Sequence, residues 1–207
     1  MLLNIANNCK GKLMIEIYTQ NIDNVWFGIA CTEKKIITSS FGASQQTTLN
    51  SILSNAPFNV PFQVFLEPST FAKNTLAALK SIYDGKDGNT NFSLATADLP
   101  LYTQKVLKTT LKIPLGYVTS YGSIAKAVGG GPRAVGNIMA ANPFAPIVPC
   151  HRVVKSDFTL GGYGSGLKVK LALLGRERRG FSASREIEVD GRRLQVFPVE
   201  NVLKNLA

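Results

Sequence analysis

Three glycines followed by a proline, Gly129-Gly130-Gly131-Pro132, constrain this chain more than any other feature. Glycine stops a helix, and proline suits the first turn of the next one. The stretch before them, Ser120 to Val128, has helical spacing. So does the stretch from Pro132 to about Ala141, which Asn142-Pro143 closes. Two short helices across a tight glycine turn outline a helix-turn-helix. The second helix has two unlike sides. Val135, Ile138, Met139 and Asn142 fall at i, i+3, i+4 and i+7, so three apolar residues and one asparagine point inward. The other side carries Arg133, Ala134, Gly136, Asn137, Ala140 and Ala141. Side chains this small let a backbone approach a partner closely, and an arginine beside them suits contact with DNA or the space of a displaced base. The same face also suits packing against another helix.

The rest of the chain divides around this unit. Leu13–Tyr18, Val25–Cys31 and Lys35–Ser39 are short apolar or alternating runs that predict a small antiparallel meander. Thr47–Leu53 and Thr70–Tyr83 have helical spacing, and Asp84–Asn89 is a turn-rich break. Tyr102–Leu111 and Gly166–Arg178 read as helices, and Arg185–Val196 as a hairpin turning at Asp190-Gly191. The fold class expected is α+β. An α/β N-terminal domain with a small antiparallel sheet and helices occupies residues 1–90, with a structural role. A linker spans 91–100. A mostly helical domain with the helix-turn-helix covers 101–182, and a hairpin tail 183–207.

With 207 residues and 45% hydrophobic content the chain can bury an ordinary core. No apolar run reaches the length of a membrane span. The opening residues 1–8 lack the basic and apolar regions of a secretory signal. The cysteines Cys9, Cys31 and Cys150 are odd in number and widely spaced, which argues for a reducing compartment and against a disulfide framework. Too few Cys and His remain for structural zinc, so no metal is expected. The formal charge of +10 is uneven. Residues 1–96 carry 7 Lys/Arg against 6 Asp/Glu, and residues 97–207 carry 16 against 7. Such a field suits a polyanion such as nucleic acid, or a solubilising surface.

Chemistry concentrates in the basic half. In Pro149-Cys150-His151-Arg152-Val153-Val154 a cysteine stands beside the only histidine of the chain. A nearby base or imidazolium is the usual way to make a thiolate nucleophile. If the run is extended, the two side chains point apart, which fits a water-bridged pair better than a direct one. In the last helix Leu167, Lys170, Leu171, Leu174 and Glu177 follow one stripe. A carboxylate on that line needs a partner. Glu177 either orients His151 in a Glu–His–Cys relay or turns outward beside Arg176, Arg178 and Arg179.

Five motifs in order carry a resemblance. They are Ile113–Ala125, Arg133-Ala134-Val135-Gly136, Asn142-Pro143, Pro149–Val154, and Gly162–Lys170 with Leu173-Leu174 and Glu177. Over about residues 99–180 the chain resembles the O6-alkylguanine-DNA alkyltransferase family. The resemblance implies direct reversal of DNA damage. An alkylated guanine is flipped from the duplex, and Cys150 takes the alkyl group from O6, with O4 of alkylated thymine as an alternative donor, irreversibly and once per molecule. It implies His151 as base through a water, Glu177 orienting it, Asn142 in the same network, and Tyr121 as proton donor to the guanine. Arg133 would fill the vacated stack, and the helix with Ala134, Gly136, Asn137, Ala140 and Ala141 would enter the minor groove. Val153, Tyr163 and Gly164 would line the base pocket, with Gly164 replacing a serine found in some members. No cofactor is implied. The expected partner is duplex DNA containing O6-alkylguanine, the expected state a monomer off the membrane, and the expected location the cytoplasm, or the nucleus in a eukaryote. Some members bind zinc in the N-terminal domain, but this chain has no histidine there. A related non-catalytic group lacks the cysteine that this chain has. Two other readings compete: a Cys-His hydrolase, which needs turnover and an oxyanion hole, and a helix-turn-helix regulator without chemistry, which leaves Cys150, His151 and Glu177 idle.

Overall fold

The computed structural model describes residues 14–57, 59–88 and 91–205. Residues 1–8, Cys9, the first residue of the Leu13–Tyr18 run and Asn89 of the turn-rich break lie outside the described residues. The architecture is α+β, with two four-stranded sheets and seven helices among the described residues.

The N-terminal half is built on β1 (Ile15–Ile22), β2 (Val25–Cys31) and β3 (Ile36–Gly42), an antiparallel meander. Asp23 and Asn24 both take positive φ between β1 and β2, the two-residue turn that matches strand twist. β3 runs past the predicted Ser39 to Gly42. A fourth strand, β4 (Phe62–Phe65), pairs parallel to β1 and gives the order β3-β2-β1-β4. Its FQVF has exposed residues on both faces, so no buried alternation marked it in the sequence. Helix α1 (Gln45–Asn55) begins two residues before its predicted start, because Ser44 and Thr47 form a capping box worth about 1 kcal/mol. α1 lies so close to the sheet that a Cβ on Gly28 would come within 2.5 Å of Ile52 Cδ1. Helix α2 (Thr70–Tyr83) buries Leu76, Leu79 and Ile82, and Tyr83 packs edge-on against Phe27 and Phe41.

The second half holds α3 (Leu101–Leu111), β5 (Tyr117–Ser120), α4 (Tyr121–Val128), α5 (Pro132–Ala140), β6 (Val153–Val154) and α6 (Leu167–Arg176). The hairpin β7 (Arg185–Val189) and β8 (Arg192–Pro198) and the short α7 (Glu200–Lys204) follow. Only the hairpin was visible as strand in the sequence. β8 hydrogen-bonds to β5, which also pairs parallel with β6, so the order is β6-β5-β8-β7. The strands β5 and β6 are four and two residues long, too short to show a period of two. Glu200 Oε1 accepts from the backbone N–H of Arg179 and of Gly180, fastening α7 over the end of α6. One apolar cluster runs from Phe27, Ile36 and Leu79 to Val106, Val135, Met139 and Val153, so the halves share a core.

Candidate active site

The run around Cys150 is not extended. Cys150–Arg152 forms a turn of 3-10 helix, and Arg152 N–H donates to Pro149 O at 2.9 Å. That turn leaves His151 out of the cavity wall that Cys150 lines. His151 is fully buried, and its Nε2 lies 2.8 Å from Glu177 Oε1. Glu177 caps α6 and is 1% exposed, so the outward alternative is excluded. Arg152, which the sequence reading left without a role, is the second partner. Its Nε donates to Glu177 Oε2 at 2.9 Å, its NH2 to Oε1 at 2.8 Å, and its NH1 to Ile113 O at 2.7 Å.

These contacts set protonation. Burial pushes the Glu177 carboxyl up, but the adjoining His151 and Arg152 outweigh it and hold it at about 2. Burial keeps the His151 pKa below its ordinary value against the pull of Glu177, so the ring is neutral. With Glu177 ionised, Nε2–H donates, and Nδ1 is left as a buried acceptor with no partner among the described residues. Burial raises the Cys150 thiol, opposed by the Asn142 amide, the Lys170 charge and backbone N–H groups. Cys150 therefore rests as a thiol and needs a base.

Helix α5 ends at Ala140, so Asn142 lies in the turn beyond it rather than on its last helical position. It still points inward. Its Nδ2 donates to Val148 O at 2.9 Å and to Cys150 Sγ at 3.2 Å, and its Oδ1 accepts from Phe144 N–H at 3.0 Å. A cavity of about 750 Å³ opens at Cys150, with Asn142, Ala140, Tyr163 and Gly164 in its wall. The Tyr163 hydroxyl is buried without a partner. Val153 is not in that wall. It is fully buried behind Cys150 in β6. Tyr121 begins α4 at the edge of the site, half-buried, where Gly161 leaves room for its ring and a Cβ would meet its hydroxyl at 2.8 Å. Arg133, Ala134, Asn137, Ala140 and Ala141 are exposed along α5 and Gly136 is half-buried. The Arg133 side chain has no hydrogen bond or ion pair among the described residues.

Lys170 is the residue the sequence reading missed. It is fully buried, and Nζ donates to Val153 O at 2.6 Å, Leu160 O at 2.5 Å and Gly162 O at 3.3 Å. Burial brings it down to about 8, and the nearby Cys150 partly offsets that. The signal was present: Lys170 stands on the same apolar stripe that singled out Glu177, and a buried cation needs partners as a buried carboxylate does. No cluster of three His, Cys, Asp or Glu suited to a metal occurs among the described residues. No helix there is long and apolar enough to cross a membrane.

The geometry has known counterparts. The family model "6-O-methylguanine DNA methyltransferase, DNA binding domain" matches residues 101–179. A methylated-DNA–protein-cysteine methyltransferase of Pyrobaculum aerophilum is 58% identical over 67 residues, 32% of this chain and 45% of that protein. The probable methylated-DNA–protein-cysteine methyltransferase of Acanthamoeba polyphaga mimivirus is 44% identical over 110 residues, 52% of this chain and 72% of its relative. This chain belongs to that family. The match spans less than half of the Pyrobaculum methyltransferase, and 63% of a Methanothermobacter thermautotrophicus one that is 34% identical over 113 residues, 53% of this chain. Among solved methyltransferases, the O6-methylguanine-DNA methyltransferase of Pyrococcus kodakaraensis aligns with TM-score 0.63 at 27% identity, covering 79% of this chain and 99% of that one. The Mycobacterium tuberculosis OGT in complex with DNA aligns with TM-score 0.61 at 26% identity, covering 79% and 92%.

Proposed function

We infer that this methyltransferase relative repairs DNA by moving the alkyl group of O6-alkylguanine irreversibly onto Cys150. The observation that carries the reading is a thiol in the cavity wall, on the same 3-10 turn as a buried His151 whose Nε2 is fixed by Glu177 and whose Nδ1 has no partner among the described residues. The relatives' names supply the substrate class, O6-methylguanine in DNA. Cys150 Sγ attacks the alkyl carbon as the carbon–O6 bond breaks. The thiol proton passes through a water to His151 Nδ1, and Tyr121 donates a proton to the guanine, so that a neutral base leaves. The proton held by His151 then returns through solvent to Tyr121, so the net change is thiol plus O6-alkylguanine to thioether plus guanine. A thioether does not revert, so each molecule reacts once. Asn142 and Lys170 stabilise the developing thiolate, the first by a hydrogen bond and the second by charge.

The exposed face of α5, with Arg133 free at its start, suits entry into the minor groove and occupation of the gap left by the flipped base. Tyr163 and Gly164 line the base pocket, and Val153 closes it from behind. In this reading residues 101–182 are the transfer unit, agreeing with the matched stretch 101–179. Residues 1–90 are structural, 91–100 link, and the tail 183–207 supplies the hairpin β7–β8, two of the four strands of the second sheet. The protein works as a monomer without a cofactor. A reactive thiol suits a reducing compartment, the cytoplasm or nucleus.

The test is intact mass spectrometry after mixing with a duplex containing one O6-methylguanine. Gain of one methylene, mapped to Cys150 and saturating at one per protein, is expected. Binding of the duplex with no mass gain would overturn the reading in favour of a regulator, and product beyond one equivalent in favour of a hydrolase.

A further inference from the structure

Contacts between the halves converge on the loop that carries the reaction centre. The outer edge of β3 meets residues 93–95 at Ile36 and residues 143–145 at Thr38 and Ser39. Ser39 N–H donates to Pro143 O at 2.9 Å, and Thr38 Oγ1 donates to the same carbonyl at 2.7 Å. Ser39 Oγ donates to Ala145 O at 3.0 Å, and Ser39 forms a parallel bridge with Phe144. Thr38 and Ser39 are buried, at 0% and 4% exposure. A buried strand favours apolar β-branched residues, and a buried hydroxyl is costly unless bonded. Both hydroxyls here are bonded to this one loop.

The loop passes the constraint on. Phe144 N–H fixes Asn142 Oδ1 at 3.0 Å, and Phe144 O accepts from Val148 N–H at 2.9 Å. Val148 O in turn accepts from Asn142 Nδ2 and from Cys150 N–H at 2.8 Å. The last link is Asn142 Nδ2 to Cys150 Sγ at 3.2 Å. An unbroken series of hydrogen bonds therefore runs from β3 to the sulfur.

We propose that Thr38 and Ser39 are positioning residues for alkyl transfer, holding the 143–145 loop so that the Asn142 amide stays on Cys150 Sγ. The proposal rests on Cys150 being the nucleophile. It gives the N-terminal half, which lies outside the matched stretch 101–179, a part in the reaction. β3 itself contains no ionisable side chain. The ionisable groups coupled to Cys150 come from elsewhere: Lys170 on α6 lowers the thiol, and Cys150 in turn acts on Tyr121 of α4 and Tyr163 of the loop before α6, while His151, Arg152 and the α6 cap Glu177 form the buried cluster beside it. A change at β3 thus reaches the thiol through the loop and not by altering a nearby charge.

The experiment compares the full-length protein with Thr38→Val/Ser39→Ala and with Thr38→Ser, which keeps the hydroxyl. Two rates are followed across pH 6 to 10: alkylation of Cys150 by iodoacetamide, read on its own peptide, and transfer from free O6-benzylguanine. In the double variant the midpoint of alkylation is expected to move up by about one pH unit. Transfer near neutrality should fall about tenfold and recover toward high pH. Thr38→Ser should behave as the parent. Ile52→Val, which loosens α1 against the same sheet without touching the loop, serves as a control for stability alone. An unmoved midpoint in the double variant, or an equal shift in Ile52→Val, would overturn the proposal. If the double variant does not fold, Ser39→Ala alone keeps the backbone bond, and a smaller shift of the same sign is then required. Iodoacetamide reads the thiol whether or not alkylguanine is a substrate, so absence of transfer in the parent would sink the proposed function separately.

Discussion

Cys31 and Cys150 make the most instructive pair in the molecule. Both are free, both are buried, and both lie at the end of a short structured run, one in each half. Burial raises both thiols. For Cys31 nothing opposes it, and the Glu16 charge pushes further, up to about 12. For Cys150 the Asn142 amide, the Lys170 ammonium and local backbone N–H groups pull the other way. A buried cysteine becomes a candidate nucleophile through the donors gathered around it and a cavity in front of it, not through exposure.

The largest effect should come from exchanging the two. Cys150→Ser abolishes alkyl transfer while leaving duplex binding nearly intact, and Cys31→Ser leaves the transfer rate within about twofold. Single-turnover assays and a binding titration check this, and parallel loss of binding and transfer would count against a purely chemical role. Next, Lys170→Met should make Cys150 resemble Cys31. Transfer is expected to fall about 100-fold and the pH of half-maximal iodoacetamide reactivity to rise. Two buried carbonyls, those of Val153 and Leu160, lose their donor, at a cost on the order of 1–3 kcal/mol each before relaxation, and the exposed Gly162 loses a longer bond. Unchanged thiol reactivity in a folded variant would confine Lys170 to holding the loop.

Arg133→Ala should slow repair in duplex DNA about tenfold and spare reaction with free O6-benzylguanine. Equal effects on the two substrates would remove the arginine from base displacement. The mildest test is acid. His151 and Glu177 both have depressed pKa values in the folded state, so the unfolded chain binds more protons and stability falls as pH falls. The loss should begin below about 6.5, where an unfolded histidine titrates, and deepen from about 4.3 toward the Glu177 value of about 2. Urea midpoints at pH 7, 5.5 and 4 read this directly. A flat series would mean that the pair is not held in the ionisation states described, and Cys31→Ser should leave the slope unchanged.

Much of the site was legible because it depends on spacing within a helix or a turn. The glycine-proline break located the end of α4 and the start of α5, and the stripe on α6 brought attention to Glu177. The sequence left two fates for that carboxylate, and only the packing of α6 against the 3-10 turn decided between them. Arg152 was harder to read. It is one cation in a strongly basic half, and nothing local separates it from a solvated one, whereas Lys170 stood on the apolar stripe of α6.

By itself the sequence determined the order of the four main helices and the hairpin in the second half, the two faces of α5 and the adjacency of Cys150 to His151. All of these follow from periodicity and chain connectivity over a few residues. Tertiary structure decided which way His151 turns, what neutralises Glu177, and that Ser39 is bonded to Ala145 across 106 residues of chain. Those outcomes depend on burial and on long-range hydrogen bonds. Their energy is gained only when the two halves share one core, and no local pattern records it.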